Sequence, residues 1–121
     1  MAKNKNKSKL VGFLVAYDDN ELGEAYELRV GRYIVKNNGL TQEKNDIIVN
    51  REDVDSPHLA INVTQDNKIE VQDIFSKEGS SYLKESQTVE KRLKGVVSLK
   101  HGDKLRVGTS KHFQLSILVN E

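Results

Sequence analysis

Cysteine and tryptophan are absent from the 121-residue sequence, and proline occurs once. Without cysteine the chain can form no disulfide, thiol nucleophile or thiolate zinc site, which fits a reducing compartment. Aromatic residues make up only 6% of the chain, which weakens carbohydrate or nucleic-acid binding on an aromatic surface. The 19 basic and 18 acidic side chains leave a net charge of +1. Overall charge therefore gives no argument for nucleic acid or a membrane surface as a partner.

Long hydrophobic runs are also missing. The apolar runs fall far short of the roughly 18 residues that a membrane-spanning helix needs, and the first residues lack the apolar core of a secretory leader. We therefore expect a cytoplasmic protein. Residues 1–9, MAKNKNKSK, carry lysine at every second position, so we predict a flexible basic tail followed by a single domain over residues 10–121. An arm that binds phosphate or anionic lipid is the alternative for this tail.

Two alternating runs in the middle of the chain, HLAINV and KIEVQDI, predict a pair of adjacent strands. Their inward-facing residues would be Leu59, Ile61, Val63, Ile69 and Val71, with Asp73 continuing the same face of the second run. Turn-forming residues at 65–67 join the two runs. The polar segments DSPH and SKEGSS, before and after the pair, would then lie at the same end of the hairpin. Two polar loops at one end of a rigid hairpin are typical of a binding site.

Further short runs along the chain predict further strands. They are LVGFLVAY, AYELRVGRYIVK with a break at Gly31, IIV at 47–49, VVSL at 96–99, residues 103–107 and HFQLSILV. An acidic turn at residues 18–20 would end the first run, and Phe113, Leu115, Ile117 and Val119 would share one face of the last. A helix over residues 85–93 is possible, although Thr88 and Val89 favour a loop with short strands. We predict an all-β fold, an antiparallel β-sandwich of about ten to eleven strands.

Several short motifs follow one another at characteristic spacings. They are Gly31-Arg32, Asn45-Asp46-Ile47, DSPH at 55–58, DIFSKEGS at 73–80, Gly102-Asp103 and Val107-Gly108. In this order the motifs resemble the forkhead-associated (FHA) domain, over roughly residues 27–119. The resemblance implies a β-sandwich that acts in protein–protein interaction and binds phosphothreonine-containing partner proteins.

The same resemblance implies a set of site residues. In the FHA family, the phosphate is held by the Arg of a Gly-Arg pair at a strand end and by the Ser that opens Ser-Arg-x-His, while the Asn of Asn-Gly-Thr binds the peptide backbone. The implied phosphopeptide-binding residues are Arg32, Asp55, Ser56, Glu78 and Ser80, and the implied supporting residues are Gly31, His58 and Gly79. Three positions depart from the pattern, because Asp55 replaces the Ser, Ser56 replaces the Arg, and Glu78 replaces the Asn.

The acidic replacements act against phosphate binding. A phosphothreonine carries a charge of about −1.5 to −2, and two like unit charges at ~4 Å repel by ~4 kcal/mol at an effective dielectric constant near 20. Lys77 or another cation would have to neutralise the acid. Two alternatives stay open: Arg32 pairs internally with Asp55 or Glu78, or a serine hydroxyl of residue 56, 80 or 81 takes over the phosphate contact.

We therefore predict a non-catalytic protein-interaction module in signalling or assembly that binds phosphothreonine-containing partners with weakened affinity. The alternative is a phosphate-independent scaffold module with a degenerate pocket, which binds an unphosphorylated partner. An enzyme is a third possibility, since Asp55, His58 and Glu78 are residue types of hydrolase and metal sites. No nucleophile elbow, His-x-His pair or phosphate-binding glycine loop accompanies them, so we predict no cofactor and no metal.

Overall fold

The computed structural model of the protein describes residues 8–17, 23–37 and 44–118. These residues form eleven β-strands and no helix. The strands are β1 (Leu10–Ala16), β2 (Glu24–Arg29), β3 (Gly31–Lys36), β4 (Asp46–Ile48), β5 (Leu59–Val63), β6 (Ile69–Asp73), β7 (Ser80–Leu83), β8 (Lys91–Arg92), β9 (Val96–Leu99), β10 (Lys104–Val107) and β11 (Lys111–Ile117). The prediction of an all-β sandwich with ten to eleven strands is confirmed.

Two sheets make up the sandwich. The six-stranded sheet has the order β2-β1-β11-β10-β7-β8, and the five-stranded sheet has the order β4-β3-β5-β6-β9. Neighbouring strands are antiparallel except for the parallel pair β3 and β4. Side chains that alternate along each strand fill the space between the sheets, and they form one hydrophobic core.

The central hairpin follows the alternation in its sequence. β5 and β6 pair antiparallel with Ile61 opposite Val71, and the five predicted apolar residues are buried, whereas Asp73 at the end of β6 is only half-buried. Burial of each such side chain contributes roughly 1.5–3 kcal/mol to the core. On β11, Phe113 and Leu115 are buried as predicted, and Ile117 packs against the core from its edge.

The run AYELRVGRYIVK forms two strands that belong to different sheets. β2 ends at Arg29 in the six-stranded sheet, and β3 begins at Gly31 in the five-stranded sheet. The chain crosses between the sheets here, where Gly31 has φ +142°, a backbone conformation open to glycine because it has no Cβ. Arg32 therefore stands at the start of β3, and Asn37 follows its last residue.

The region in which a helix was possible contains the short strand β8 instead, as Thr88 and Val89 indicated. Most of the predicted basic tail, the acidic turn at 18–20 and Val119 lie outside the described residues. The last two tail residues contact the sandwich: the Arg29 side chain donates to the Ser8 carbonyl at 2.8 Å, and the Lys9 ammonium donates to the Gln65 carbonyl at 2.7 Å. In the described part of the chain, no helix is long and apolar enough to cross a membrane.

Candidate functional site

Three connecting segments meet at one end of the sandwich, and we call them the loop cluster. They are residues 49–58 between β4 and β5, residues 74–79 between β6 and β7, and residues 108–110 between β10 and β11. The Gly108 amide donates to the Gly79 carbonyl at 2.9 Å, and the Lys77 amide donates to the Asp55 carboxylate at 2.8 Å. These bonds tie the three segments into one surface, which contains the two polar loops that sequence patterns place together.

His58 lies beneath the loop cluster and is fully buried. Its Nδ1 accepts a hydrogen bond from the Asp55 amide at 2.9 Å, and its Nε2 lies 2.8 Å from the Gly79 carbonyl. Because an amide can only donate and a carbonyl can only accept, the geometry assigns the ring proton to Nε2. Both ring nitrogens are therefore used to join two loops, and neither is open to a substrate or a metal ion.

Asp73 fixes the second loop from the end of β6. Its carboxylate accepts from the Ser76 amide at 3.0 Å, from the Ser76 hydroxyl at 2.7 Å and from the Ser80 hydroxyl at 2.7 Å. Burial alone would raise the pKa of Asp73, but these hydrogen bonds and the nearby His58 ring outweigh burial and lower the pKa below its usual value. The hydroxyl of Ser80, an implied phosphate contact, is thus bonded inside the sandwich.

Asp53 joins the first loop to the third. Its Oδ2 accepts from the amide and the hydroxyl of Thr109, both at 2.7 Å, and from the Ser110 hydroxyl at 3.1 Å. Burial raises the pKa of Asp53, but these hydrogen bonds dominate and lower the pKa to about 2. Sequence reasoning missed Asp53, because its partners lie 56 and 57 residues away and no local pattern links them.

Asp55 is partly exposed at the surface of the loop cluster. Its carboxylate already accepts the hydrogen bond of the Lys77 amide, a donor of the kind that holds phosphate oxygens in proteins. The Ser56 hydroxyl donates to the Asn37 carbonyl at 3.0 Å. Glu78 is exposed, and it forms no hydrogen bond or ion pair with the residues that the structure describes. Because the Asp55 carboxylate is bonded to the amide of Lys77, the residue before Glu78, the residues Asp55, Ser56 and Glu78 lie on the same surface.

Arg32 lies at the opposite end of β3 from the loop cluster. It pairs with Asn62, while Val35 pairs with Leu59, and the Asn37 amide after the strand donates to the Asp55 carbonyl at 3.0 Å. At ~3.3 Å per residue, five residues of strand place Arg32 roughly 16 Å from Asn37. The structure therefore does not bring Arg32 and Gly31 together with the other implied site residues, and internal pairing of Arg32 with Asp55 or Glu78 is wrong.

The physical reason is the crossing between sheets at Gly31, which puts the Gly-Arg pair at the beginning of a strand instead of its end. The cation at the end nearest the loops is Lys36, whose ammonium lies 2.9 Å from the Asp46 carboxylate. This lysine side chain is only 17% exposed. Lys36 is thus held in an ion pair and does not replace an exposed arginine.

The loop cluster has an acidic balance of charge. Its ionisable side chains other than His58 are Arg51, Glu52, Asp53, Asp55, Lys77 and Glu78, two bases against four acids, which gives a formal charge of −2. Arg92 on β8 adds one cation at the border, because its guanidinium lies directly against the backbone of Gly79. Among the described residues, no group of three or more histidine, aspartate and glutamate side chains is arranged to hold a metal ion.

Two packed sheets of short strands, with a rigid set of polar loops at one end, define a β-sandwich of the kind that binds ligands through its loops. The FHA family model matches residues 28–108. The chain belongs to the FHA family, whose domains are generally non-catalytic interaction modules known for phosphopeptide-mediated binding.

Solved FHA domains share this fold at low sequence identity. The FHA domain of the CT664 protein from Chlamydia trachomatis has a TM-score of 0.73 and 22% identity, with 89% of this chain and 99% of that chain covered. The FHA domain of an Arabidopsis thaliana hypothetical protein has a TM-score of 0.71 and 18% identity, with 96% and 93% covered. The yeast Dun1 FHA domain, in complex with a doubly phosphorylated peptide, has a TM-score of 0.68 and 20% identity, with 94% and 79% covered. No curated protein sequence matches the chain at a significant level.

Proposed function

We propose that this FHA domain is a non-catalytic protein-interaction module, in signalling or assembly, that binds a segment of a partner protein at the loop cluster without depending on phosphate. One observation supports this proposal above the others. The Asp55 carboxylate accepts the Lys77 amide at 2.8 Å, where the family resemblance implies a serine beside a bound phosphate. The resemblance implies a hydroxyl donor for the phosphate at position 55, and Asp55 supplies a negatively charged acceptor instead.

The charges around this contact point the same way. A phosphate entering the loop cluster would meet a formal charge of −2, without the arginine that the resemblance implies beside it. A like unit charge at ~4 Å costs ~4 kcal/mol at an effective dielectric constant near 20, and each 1.4 kcal/mol is a tenfold change in affinity. Repulsion by Asp55 therefore acts against a gain in affinity from a phosphate group.

The test is an NMR titration of the 15N-labelled domain with a degenerate phosphothreonine peptide library and with its unphosphorylated twin. We expect both libraries to shift the amides of Asp55, Lys77 and Glu78, with at most a threefold difference in affinity. Arg32→Ala serves as the distant control and should bind both libraries as the parent does. A preference above tenfold for the phosphorylated library would refute phosphate independence, and the absence of loop shifts with both libraries would refute binding at the loop cluster.

Phosphothreonine-dependent binding is the second candidate, and membership of the family favours it. The exposed Lys77 and the nearby Arg92 are the cations that would supply it. The double variant Asp55→Ser with Glu78→Asn separates the two candidates. If acidic side chains suppress phosphate binding, the double variant should gain at least tenfold for the phosphorylated library only. An unchanged affinity would show that phosphate selectivity is lost for a reason other than these two acids.

A further inference from the structure

Phe75, in the loop between β6 and β7, combines two features that are each unfavourable in an isolated domain. Its side chain is 100% exposed, and its backbone has φ +51°. The left-handed conformation costs a residue with a side chain roughly 1–2 kcal/mol, and glycine or asparagine adopts it more easily. An exposed phenylalanine ring contributes no burial that offsets this cost.

Hydrogen bonds on both sides of Phe75 impose this conformation. The Ile74 amide before it donates to the His58 carbonyl at 2.8 Å. The Ser76 amide and hydroxyl after it donate to the Asp73 carboxylate at 3.0 and 2.7 Å. The backbone is thus held on either side of the ring, so the loop presents an aromatic side chain on a rigid support. Little backbone entropy remains to be lost when such a residue binds a partner.

The position of Phe75 places the ring at the proposed binding surface. Consecutive Cα atoms are about 3.8 Å apart, so Phe75 lies within about 8 Å of Lys77, whose amide bonds to Asp55. Other exposed hydrophobic side chains of the described residues, such as Val89 and Val96, lie outside the loop cluster. Phe75 is therefore the exposed large apolar residue that shares a surface with the acidic loops.

We infer that Phe75 is the apolar anchor of the loop cluster, and that its partner is a peptide segment with an aliphatic side chain flanked by lysine or arginine. This inference rests on the proposed function. Buried aromatic anchors supply much of the affinity in protein interfaces, and the loop charge of −2 is complementary to basic flanking residues. A cation next to the ring is attracted to its face as well.

The experiment uses two unphosphorylated degenerate peptide pools that are identical except at the central position, which is leucine in one and alanine in the other. Both carry lysine and arginine on either side of that position. Binding is followed by NMR shifts of the loop amides in the 15N-labelled domain. We expect the parent protein to prefer the leucine pool at least fivefold, Phe75→Asn to lose this preference, and Phe75→Tyr to retain it. Val89→Ala, an exposed apolar change elsewhere, should behave like the parent.

Thermal melting separates this role from a structural one. Phe75→Asn should melt at the same or a higher temperature than the parent, because it removes a strained and fully exposed side chain. A lower melting temperature, equal affinity for both pools, or full binding by Phe75→Asn would overturn the inference while leaving binding at the loop cluster intact. Loop amides that respond to no pool at all would refute the proposed function and the inference with it.

Discussion

The replacement of His58 by alanine tests whether this buried ring holds the loop cluster together. The change removes two hydrogen bonds and leaves the Asp55 amide without an acceptor, while the Gly79 carbonyl keeps the Gly108 amide as a donor. The unsatisfied amide costs about 1–3 kcal/mol, and the cavity left by the fully buried ring adds about 2 kcal/mol or more. We expect a total loss of about 3–5 kcal/mol, a large part of the 5–15 kcal/mol typical of a folded domain.

The loss is measurable as a change in melting temperature. For a chain of this size, 1 kcal/mol corresponds to about 4 °C, so calorimetry should find a decrease of about 12–20 °C for His58→Ala. His58→Asn places an oxygen near the position of Nδ1 and should lose about half as much, because the Asp55 amide keeps an acceptor. The control His101→Ala changes an exposed histidine and should cost less than about 1 kcal/mol. A decrease for His58→Ala no larger than that of the control would refute the bridging role.

Two further changes test other parts of the structure. Because hydrogen bonds lower the pKa of Asp53 in the folded protein to about 2, below its ordinary value of ~4, its ionised form adds stability that is present above pH ~4 and lost as the pH falls towards 2. After an allowance for solvent screening, this stabilisation amounts to about 1 kcal/mol. In urea unfolding between pH 5 and pH 2, the free energy of unfolding should therefore fall less steeply for Asp53→Asn than for the parent. Equal slopes would contradict the stabilising role of Asp53. Gly12→Ala should cost about 3 kcal/mol in urea unfolding, because its Cβ would collide with the Ser116 carbonyl of the neighbouring strand. Gly95→Ala, in open space at φ +65°, should cost only about 1–2 kcal/mol, and equal losses at the two glycines would show that the collision is relieved.

The sandwich was predictable because its signals are local. HLAINV and KIEVQDI alternate with a period of two, and such a pattern fixes which face of a strand is buried without knowledge of the rest of the chain. Turn residues at 65–67 then determine that the two strands pair with each other. At residues 85–93 the β-branched residues at 88 and 89 disfavour a helix, and the FHA pattern likewise favours a loop with short strands.

The place of Arg32 was not predictable in the same way. The dipeptide Gly31-Arg32 matches the family motif in letters, but its position depends on where the chain crosses from one sheet to the other. Gly31 marks a break in this strand-like run of twelve residues, but a glycine alone does not show that the two halves join different sheets. Because of the crossing, Arg32 lies at the beginning of β3 and not at its end. It is therefore about 16 Å, or five residues of strand, from Asn37 beside the loop cluster.

The contacts of Asp53 depend on tertiary structure as well. Asp53 and Thr109 are 56 residues apart, and an aspartate in a polar loop is an ordinary turn residue by sequence alone. The same holds for Phe75, whose left-handed backbone follows from bonds on either side that involve His58 and Asp73. From the sequence alone, a single apolar residue in a polar segment can face either the core or the solvent.

The hydrogen bonds of the loop cluster explain how an FHA fold can keep its shape while its binding chemistry changes. His58, Asp53 and Asp73 hold the loops from beneath or from the side, and none of their bonds requires a ligand. Glu78, which faces outwards and has no side-chain partner among the described residues, is therefore open to replacement without loss of the fold, whereas Asp55 contributes one contact between two loops. The Lys77 amide is satisfied within the chain as well, by the carboxylate of Asp55. A domain whose loop donors are already satisfied has less to gain from a phosphate and more to gain from apolar contact and basic side chains, which is the combination that Phe75 and the acidic loops offer.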